Sequence, residues 1–187
     1  MEGFAWRFNP SIHRQQVLHL ASCDDLRQKR HVLICGPTGV GKSPLAQARA
    51  HDACRQAFDG LFVNTHTMRQ HLHGGRADGT WAKRLQLYLR PELLMLNDCG
   101  LKPLVDPAPS DLYDVMNERD EVGNMLVTRH RAPTEWPDLF GHPPLAVAGL
   151  DRLAHHAEPV VITGRSFRAQ GRQLSENIAA EPAKDRR

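Results

Sequence analysis

The chain lacks any long apolar run: its apolar stretches are a few residues each, far short of the roughly 20 that a membrane helix needs. It opens Met1-Glu2-Gly3-Phe4-Ala5-Trp6-Arg7, with no basic segment followed by an apolar one, which argues against a secretory leader. A cytoplasmic protein with no membrane partner is expected. Cysteine is scarce, and Cys23, Cys35, Cys54 and Cys99 form no C-x-x-C pair. That argues against a zinc knuckle and a disulfide framework, and leaves four small apolar groups expected in the core. Strong charge is missing too. With 24 Lys and Arg against 21 Asp and Glu, the net +3 is too mild to establish a nucleic-acid partner. What remains is ordinary soluble composition, 41% hydrophobic and 24% charged, in 187 residues. That length suits one domain with a core of roughly 150 residues plus tails.

Against these absences stands one octet. Gly36-Pro37-Thr38-Gly39-Val40-Gly41-Lys42-Ser43 fits the pattern G-x-x-x-x-G-K-[ST] and follows directly on the apolar run His31-Val32-Leu33-Ile34-Cys35. Strand, loop and helix fall in the order a phosphate loop requires, whereas a chance match in a surface loop would lack that setting. Its glycines let the backbone curl until successive N–H groups point at a β-phosphate, Lys42 bridges β and γ oxygens, and the Ser43 hydroxyl holds Mg²⁺. The next helix, expected from about Ser43 to Phe58, aims its positive N-terminal end at the same phosphates.

Elsewhere, Asn9-Pro10-Ser11 reads as a helix start, with Ile12, Val17, Leu18 and Leu20 forming a partly apolar face through about Ala21. A polar turn from Asp24 to Lys29 precedes the first strand. Leu61 to Asn64 is a short strand and Thr65 to His73 a helix, with Gly74, Gly75 and Gly79 as breaks. Thr80 to Arg90 is a helix and Glu92 to Asn97 a buried strand. After a Pro-rich loop from Pro103 to Pro109, Ser110 caps a helix to about Glu121, with Leu112, Val115 and Met116 at helical spacing. Asn124 to Arg129 is a strand, Pro144 to His155 a helix, and Pro159 to Thr163 a last strand. Alternating strands and helices predict an α/β fold, a mostly parallel sheet flanked by helices on both faces. Residues 1–172 form the expected core, and 173–187 have the composition of a flexible tail.

A phosphate loop needs one carboxylate for the Mg²⁺ hydration shell and a second acidic group to orient water, both at the end of a buried strand. Leu93-Leu94-Met95-Leu96-Asn97-Asp98 is that strand, but its first polar residue is an amide. Alternation puts Asn97 and Asp98 on opposite faces, so Asp98 reaches the side that Asn97 faces only if the strand end is distorted. From Arg69 to Arg90 the chain is basic, with Arg69, His71, His73, Arg76, Lys83, Arg84 and Arg90 around Trp81, Tyr88 and a single Asp. Such a stretch can track a nucleic-acid backbone with aromatic faces for stacking; a solvated helix face has the same composition. His155-His156 read as structural, because adjacent helix positions point in different directions and no acidic or Cys partner is near.

Several separated segments carry a resemblance. They are Phe8-Asn9-Pro10-Ser11-Ile12, Arg14-Gln15-Gln16-Val17, Leu20-Ala21-Ser22-Cys23, the phosphate loop continuing into Pro44-Leu45-Ala46, and Asn97-Asp98-Cys99-Gly100-Leu101. Further on come Asp111-Leu112-Tyr113, Arg131-Ala132-Pro133-Thr134-Glu135-Trp136, Leu150-Asp151-Arg152-Leu153-Ala154-His155-His156-Ala157 and Gly164-Arg165-Ser166-Phe167-Arg168. Together they resemble the IstB-like helper ATPases of insertion-sequence transposition, relatives of the DnaC helicase loaders in the AAA+ class of P-loop NTPases. The likeness runs from Phe4 to Arg172. It implies a homo-oligomer that binds ATP and Mg²⁺, assembles on DNA and recruits the transposase of the same insertion element. In that setting Gly36 to Ser43 cradle the phosphates, Ser43 and Asn97 order the Mg²⁺ shell, Asp98 positions water and His130 senses the γ-phosphate. Arg152 resembles an arginine finger offered to the neighbouring subunit, the alternative being a helix-surface partner of Asp151. Arg69, Arg76, Lys83 and Arg84 are the DNA candidates.

Three departures from that pattern stand out. The family usually has two consecutive aspartates where this chain has Asn97-Asp98. It usually has Ser-Asn where this chain has Arg129-His130, and a neutral His130 donates one hydrogen bond with a geometry unlike an amide's. Members usually carry a helical region ahead of the position of Phe4, so a shortened copy is expected. The rival readings are a nucleotide-gated DNA-binding scaffold without turnover, a DnaC-like loader, and a small-molecule kinase, against which the Asp151-Arg152 box and the short tail argue.

Overall fold

Three strands are buried along nearly their whole length: β1 (His31–Cys35), β3 (Leu93–Cys99) and β4 (Asn124–Arg129). With β2 (Gly60–Asn64) and β5 (Ala157–Val161) at the edges, they form a parallel sheet in the order β2-β3-β4-β1-β5. This computed structural model describes residues 9, 11–100, 108–120, 122–130, 148–149, 153, 157–164 and 166–167. The expected tail at 173–187, His155-His156, Arg152 and most of the expected helix over 144–155 lie outside the described residues.

Side chains alternate along each strand, and here both faces are apolar. Leu33, Leu94, Leu96, Met125 and Val127 point to one side, where they meet Met68 and Leu72 of α4 (Thr65–Asp78), Leu85 and Tyr88 of α5 (Trp81–Leu89), and Leu112, Val115 and Met116 of α6 (Ala108–Arg119). Val32, Ile34, Leu93, Met95 and Leu126 point to the other, against Val17 and Leu20 of α1 (Arg14–Ser22), Leu26 of α2 (Asp24–Arg27), and Leu45, Ala46 and Ala53 of α3 (Lys42–Arg55). A sheet covered on both faces needs such near-continuous apolar strands. Each large side chain sealed in this way contributes about 1.5–3 kcal/mol.

Two buried arginines brace the layers. Arg49 of α3 donates to both carboxylate oxygens of Asp25 in α2, at 2.6 and 2.9 Å. Arg119 of α6 donates to the carbonyls of Tyr88, Leu89, Glu92 and Asn124, satisfying the C-terminal end of α5 and the starts of two strands. Burial pulls the Arg119 guanidinium down to about 10, still cationic at neutral pH. Burial likewise pushes the Cys99 thiol up to about 11, which keeps it protonated and apolar. Cys23 and Cys35 are also buried, whereas Cys54 is exposed, contrary to the expectation for all four.

Several boundaries differ from expectation for physical reasons. Gly74 and Gly75 do not end α4, which runs on to Asp78 and stops at Gly79, a left-handed residue at φ +72°. The pair instead lets α5 approach: a Cβ on Gly75 would lie 2.8 Å from the Trp81 Cα and 2.8 Å from the Arg84 Cδ. Asn9 and Ser11 do not open a helix either. α1 begins at Arg14, Asn9 and Ser11 bond distant backbone, and Leu18 is 48% exposed. The polar turn after α1 contains the one-turn helix α2, and α6 starts at Ala108, so Ser110 lies within it rather than capping it.

Candidate nucleotide-binding site

The C-terminal ends of β1, β3 and β4 converge on one side of the sheet, and β1 delivers the phosphate loop there. Its first amide, Gly36 N, donates to Arg129 O at the end of β4 (3.1 Å). Gly36, Gly39 and Gly41 hold φ of +154°, +83° and +107°, values that side chains resist. Space is short as well, since a Cβ on Gly36 would fall 2.1 Å from Ile162 O and one on Gly39 2.1 Å from Ser166 Oγ. α3 then starts at Lys42 behind Gly41, with no side chain capping it. Pro44, in the first turn of that helix, has no N–H to offer.

Lys42 is 4% exposed, and its ammonium donates to Gly36 O (2.8 Å) and Pro37 O (2.7 Å). It also lies 3.3 Å from His130 Nδ1, which is 3.0 Å from the Thr38 hydroxyl. The other ring nitrogen, Nε2, is 3.2 Å from Asp98 Oδ1. An ammonium has only donors, so the nitrogen facing it must accept, and Nε2 then carries the proton that Asp98 receives. Because β4 separates β1 from β3, His130 at its end spans from the loop to the carboxylate.

Asp98 reaches that side through a strand-end distortion. β3 pairs with β4 as Leu96↔Val127 and then Cys99↔Arg129, three steps against two, with Asp98 at φ +57°. This is a bulge, which re-aims a side chain that regular pleating would turn away. Thr128 supports it: its hydroxyl accepts from Asp98 N (3.0 Å) and donates to Asn97 Oδ1 (2.9 Å). Asn97 is buried, and its main-chain oxygen accepts from the Thr65 hydroxyl (3.1 Å). Its Oδ1 already accepts from Thr128, which leaves one lone pair and no negative charge for a metal-bound water. Asn64, at the end of β2, caps α4 and places Nδ2 3.5 Å from Asp98 Oδ2.

The structure thus brings the loop, Lys42, Asn97, Asp98 and His130 together. Thr128 and Asn64 escape notice in the sequence as site residues; the one available signal is a polar residue at the end of an otherwise apolar strand. This donor set fits a polyphosphate with a hard divalent ion: curled backbone amides, a helix N-terminus, a buried lysine, the Ser43 hydroxyl and one carboxylate.

The basic stretch is less open than its composition suggests. Arg84 donates from all three nitrogens, to Thr80 Oγ1, His71 O and Asp78. Arg76 donates to Asp111 Oδ1 at 2.9 and 2.6 Å and stacks over Trp81, whose indole N–H donates to the same oxygen. Arg69 is half-buried, and burial lowers its pKa. Lys83 is exposed. Two of the four DNA candidates, Arg76 and Arg84, are therefore held by bonds among α4, α5 and α6.

Comparison with known proteins agrees with this geometry. An insertion-sequence ATP-binding protein of Mycobacterium tuberculosis is 34% identical over 172 residues, covering 91% of this chain and 68% of the relative. Among solved structures, a DnaC helicase loader superposes with a TM-score of 0.68 at 18% identity, covering 84% of this chain and 97% of that one. The replication initiator DnaA bound to AMPPCP and single-stranded DNA gives 0.68 at 15% identity, covering 98% of this chain and 59% of that one. At such identities the two structures establish the AAA+ P-loop fold alone. Residues 1–175 match the family described as IstB-like ATP binding protein, and the chain belongs to that family.

Proposed function

We propose that this chain binds ATP·Mg²⁺ at the phosphate loop and serves as a transposition helper that assembles on DNA and recruits a transposase, with weak hydrolysis. The observation that carries the reading is the continuous path from Lys42 through His130 to Asp98, three side chains from three elements facing one curled loop. Lys42 must leave the Gly36 and Pro37 carbonyls to meet β and γ oxygens, and Ser43 holds the metal. His130, at the end of β4, contacts the γ-phosphate, and Asp98 orients the attacking water. Insertion-sequence relatives support the transposition context, and the DNA-bound DnaA neighbour supports assembly on DNA. Arg152 completes the site from a neighbouring copy in this reading.

Asn97 is the reason for weak turnover. It supplies no charge, and its single acceptor atom is shared with Thr128. Asn97→Asp keeps that bond with one oxygen and offers the other to a metal-bound water. The gain of about 1 kcal/mol for a charge-assisted bond corresponds to roughly fivefold faster turnover. The test is DNA-stimulated hydrolysis by the wild type and Asn97→Asp at saturating ATP and Mg²⁺. Robust wild-type hydrolysis that the substitution leaves unaltered would defeat the weak-turnover reading. The same amide favours a second reading, a nucleotide-gated DNA scaffold without turnover, which predicts DNA binding that depends on ATP while neither protein hydrolyses it.

A further inference from the structure

The segment ahead of α1 grips the phosphate loop from behind. Asn9 is only 4% exposed, and its Nδ2 donates to Thr163 O (2.7 Å) and to Val40 O (3.3 Å), 154 and 31 residues away. Its Oδ1 accepts from Ser11 N (3.0 Å) and lies 2.9 Å from Ser11 Oγ. The Ser11 hydroxyl accepts from Thr163 N (3.0 Å) and stands 2.6 Å from Thr163 O. Gly164, at φ +112°, leaves room for this, because a Cβ there would lie 3.0 Å from Asn9 Oδ1. The chain after β5 then runs along the loop itself, with Phe167 N donating to Gly39 O (3.0 Å) and Ile162 and Ser166 filling the space beside Gly36 and Gly39.

We propose that Asn9 is a positioning residue for the nucleotide site, a clip that holds the middle of the phosphate loop against the end of β5. The argument is one of peptide geometry. In a trans peptide the C=O and the following N–H point in opposite directions, so drawing Val40 O back onto Asn9 turns Gly41 N–H the other way, toward a bound phosphate. The amide is suited to the task because one nitrogen supplies two protons for two carbonyls while its oxygen accepts from Ser11. The clip makes the loop, the chain after β5 and the segment entering α1 one mechanical unit. Displacement of that segment then changes nucleotide affinity. This inference rests on the proposed nucleotide site.

The test uses the full chain and two readouts: amide hydrogen exchange at residues 38–43 without nucleotide, and ATP·Mg²⁺ affinity by calorimetry. Asn9→Asp keeps the shape but removes both donors. Asn124→Ala is the control, a buried asparagine at the start of β4, at the opposite end of that strand from the site. Asn9→Asp is expected to speed loop exchange and weaken ATP binding by about tenfold each, the effect of losing the one bond that reaches the loop, to Val40 O. Asn124→Ala is expected to lower the melting temperature with both readouts unchanged. If the two variants weaken ATP binding in proportion to their lost stability, Asn9 is merely structural and the proposal fails. Unchanged loop exchange in Asn9→Asp, in a protein whose wild type binds ATP, overturns the clip alone. A wild type that binds no ATP, yet whose loop exchange responds to Asn9, overturns the nucleotide reading and the positioning role with it. Should Asn9→Asp fail to fold, Ser11→Ala keeps the Asn9 donors, and a smaller change in the same direction is expected; no change overturns the clip.

Discussion

Replacing Thr128 with valine would remove a single oxygen and test how the bulge is held. In the native protein that hydroxyl accepts from Asp98 N at 3.0 Å and donates to Asn97 Oδ1 at 2.9 Å, within a fully buried side chain. Valine fills the same volume but leaves both partners unsatisfied, at about 1–3 kcal/mol for a buried group and less for the half-buried Asp98 amide. A net loss of about 2–3 kcal/mol corresponds to a melting temperature lower by roughly 5–10 °C in a domain of this size. Function should suffer separately. Asp98 sits at φ +57°, a conformation that costs a non-glycine residue about 1–2 kcal/mol. Without the hydroxyl the strand relaxes toward regular pairing, which turns the carboxylate away from His130. ATP affinity should then hold while turnover falls, and Thr128→Ser should recover most of both losses. Calorimetric unfolding and steady-state hydrolysis read the two effects. An unchanged melting temperature in Thr128→Val, or a serine variant as damaged as the valine one, would refute this account of the bulge.

Gly75→Ala should destabilise the protein by about 1–2 kcal/mol in chemical unfolding, although alanine is the better helix former by about 1 kcal/mol. The reason is the Trp81 backbone, 2.8 Å from the added methyl; a stabilised variant would contradict the close approach of α5. On the proposed DNA face, Lys83→Ala should reduce the slope of log affinity against log salt by about 0.9, one phosphate contact, without altering stability. An unchanged slope moves the DNA surface elsewhere. Arg84 is the wrong residue for that test, because its guanidinium holds the α4–α5 junction.

What the sequence makes legible is what local pattern determines. β1 and β4 run between the residues expected of them, because apolar runs bounded by polar residues define strands without reference to neighbours. The phosphate loop is equally local, since its glycines and lysine are contiguous. Features that depend on a distant partner are not legible. Gly74 and Gly75 look like breakers until α5 is seen lying against them, and tertiary packing overrides propensity there. Asn9 and Ser11 have the side chains of helix caps, yet their partners lie across the fold at Val40 and Thr163. The bulge at Asn97-Asp98 exists only relative to β4, so strand alternation alone separates two residues that the folded protein places at one site. Arg76 and Arg84 read as surface charge because Asp111, Asp78 and the His71 carbonyl are not their sequence neighbours on one helix face.

The central claim, that Gly36 to Ser43 form a nucleotide site, is tested most directly by calorimetric titration of the wild type and Lys42→Ala with ATP·Mg²⁺. Removing the ammonium leaves the β and γ charges to backbone dipoles alone. The account predicts saturable binding by the wild type and no measurable binding by a variant that remains folded. Equal affinity in the two proteins, or no binding by either, would contradict it.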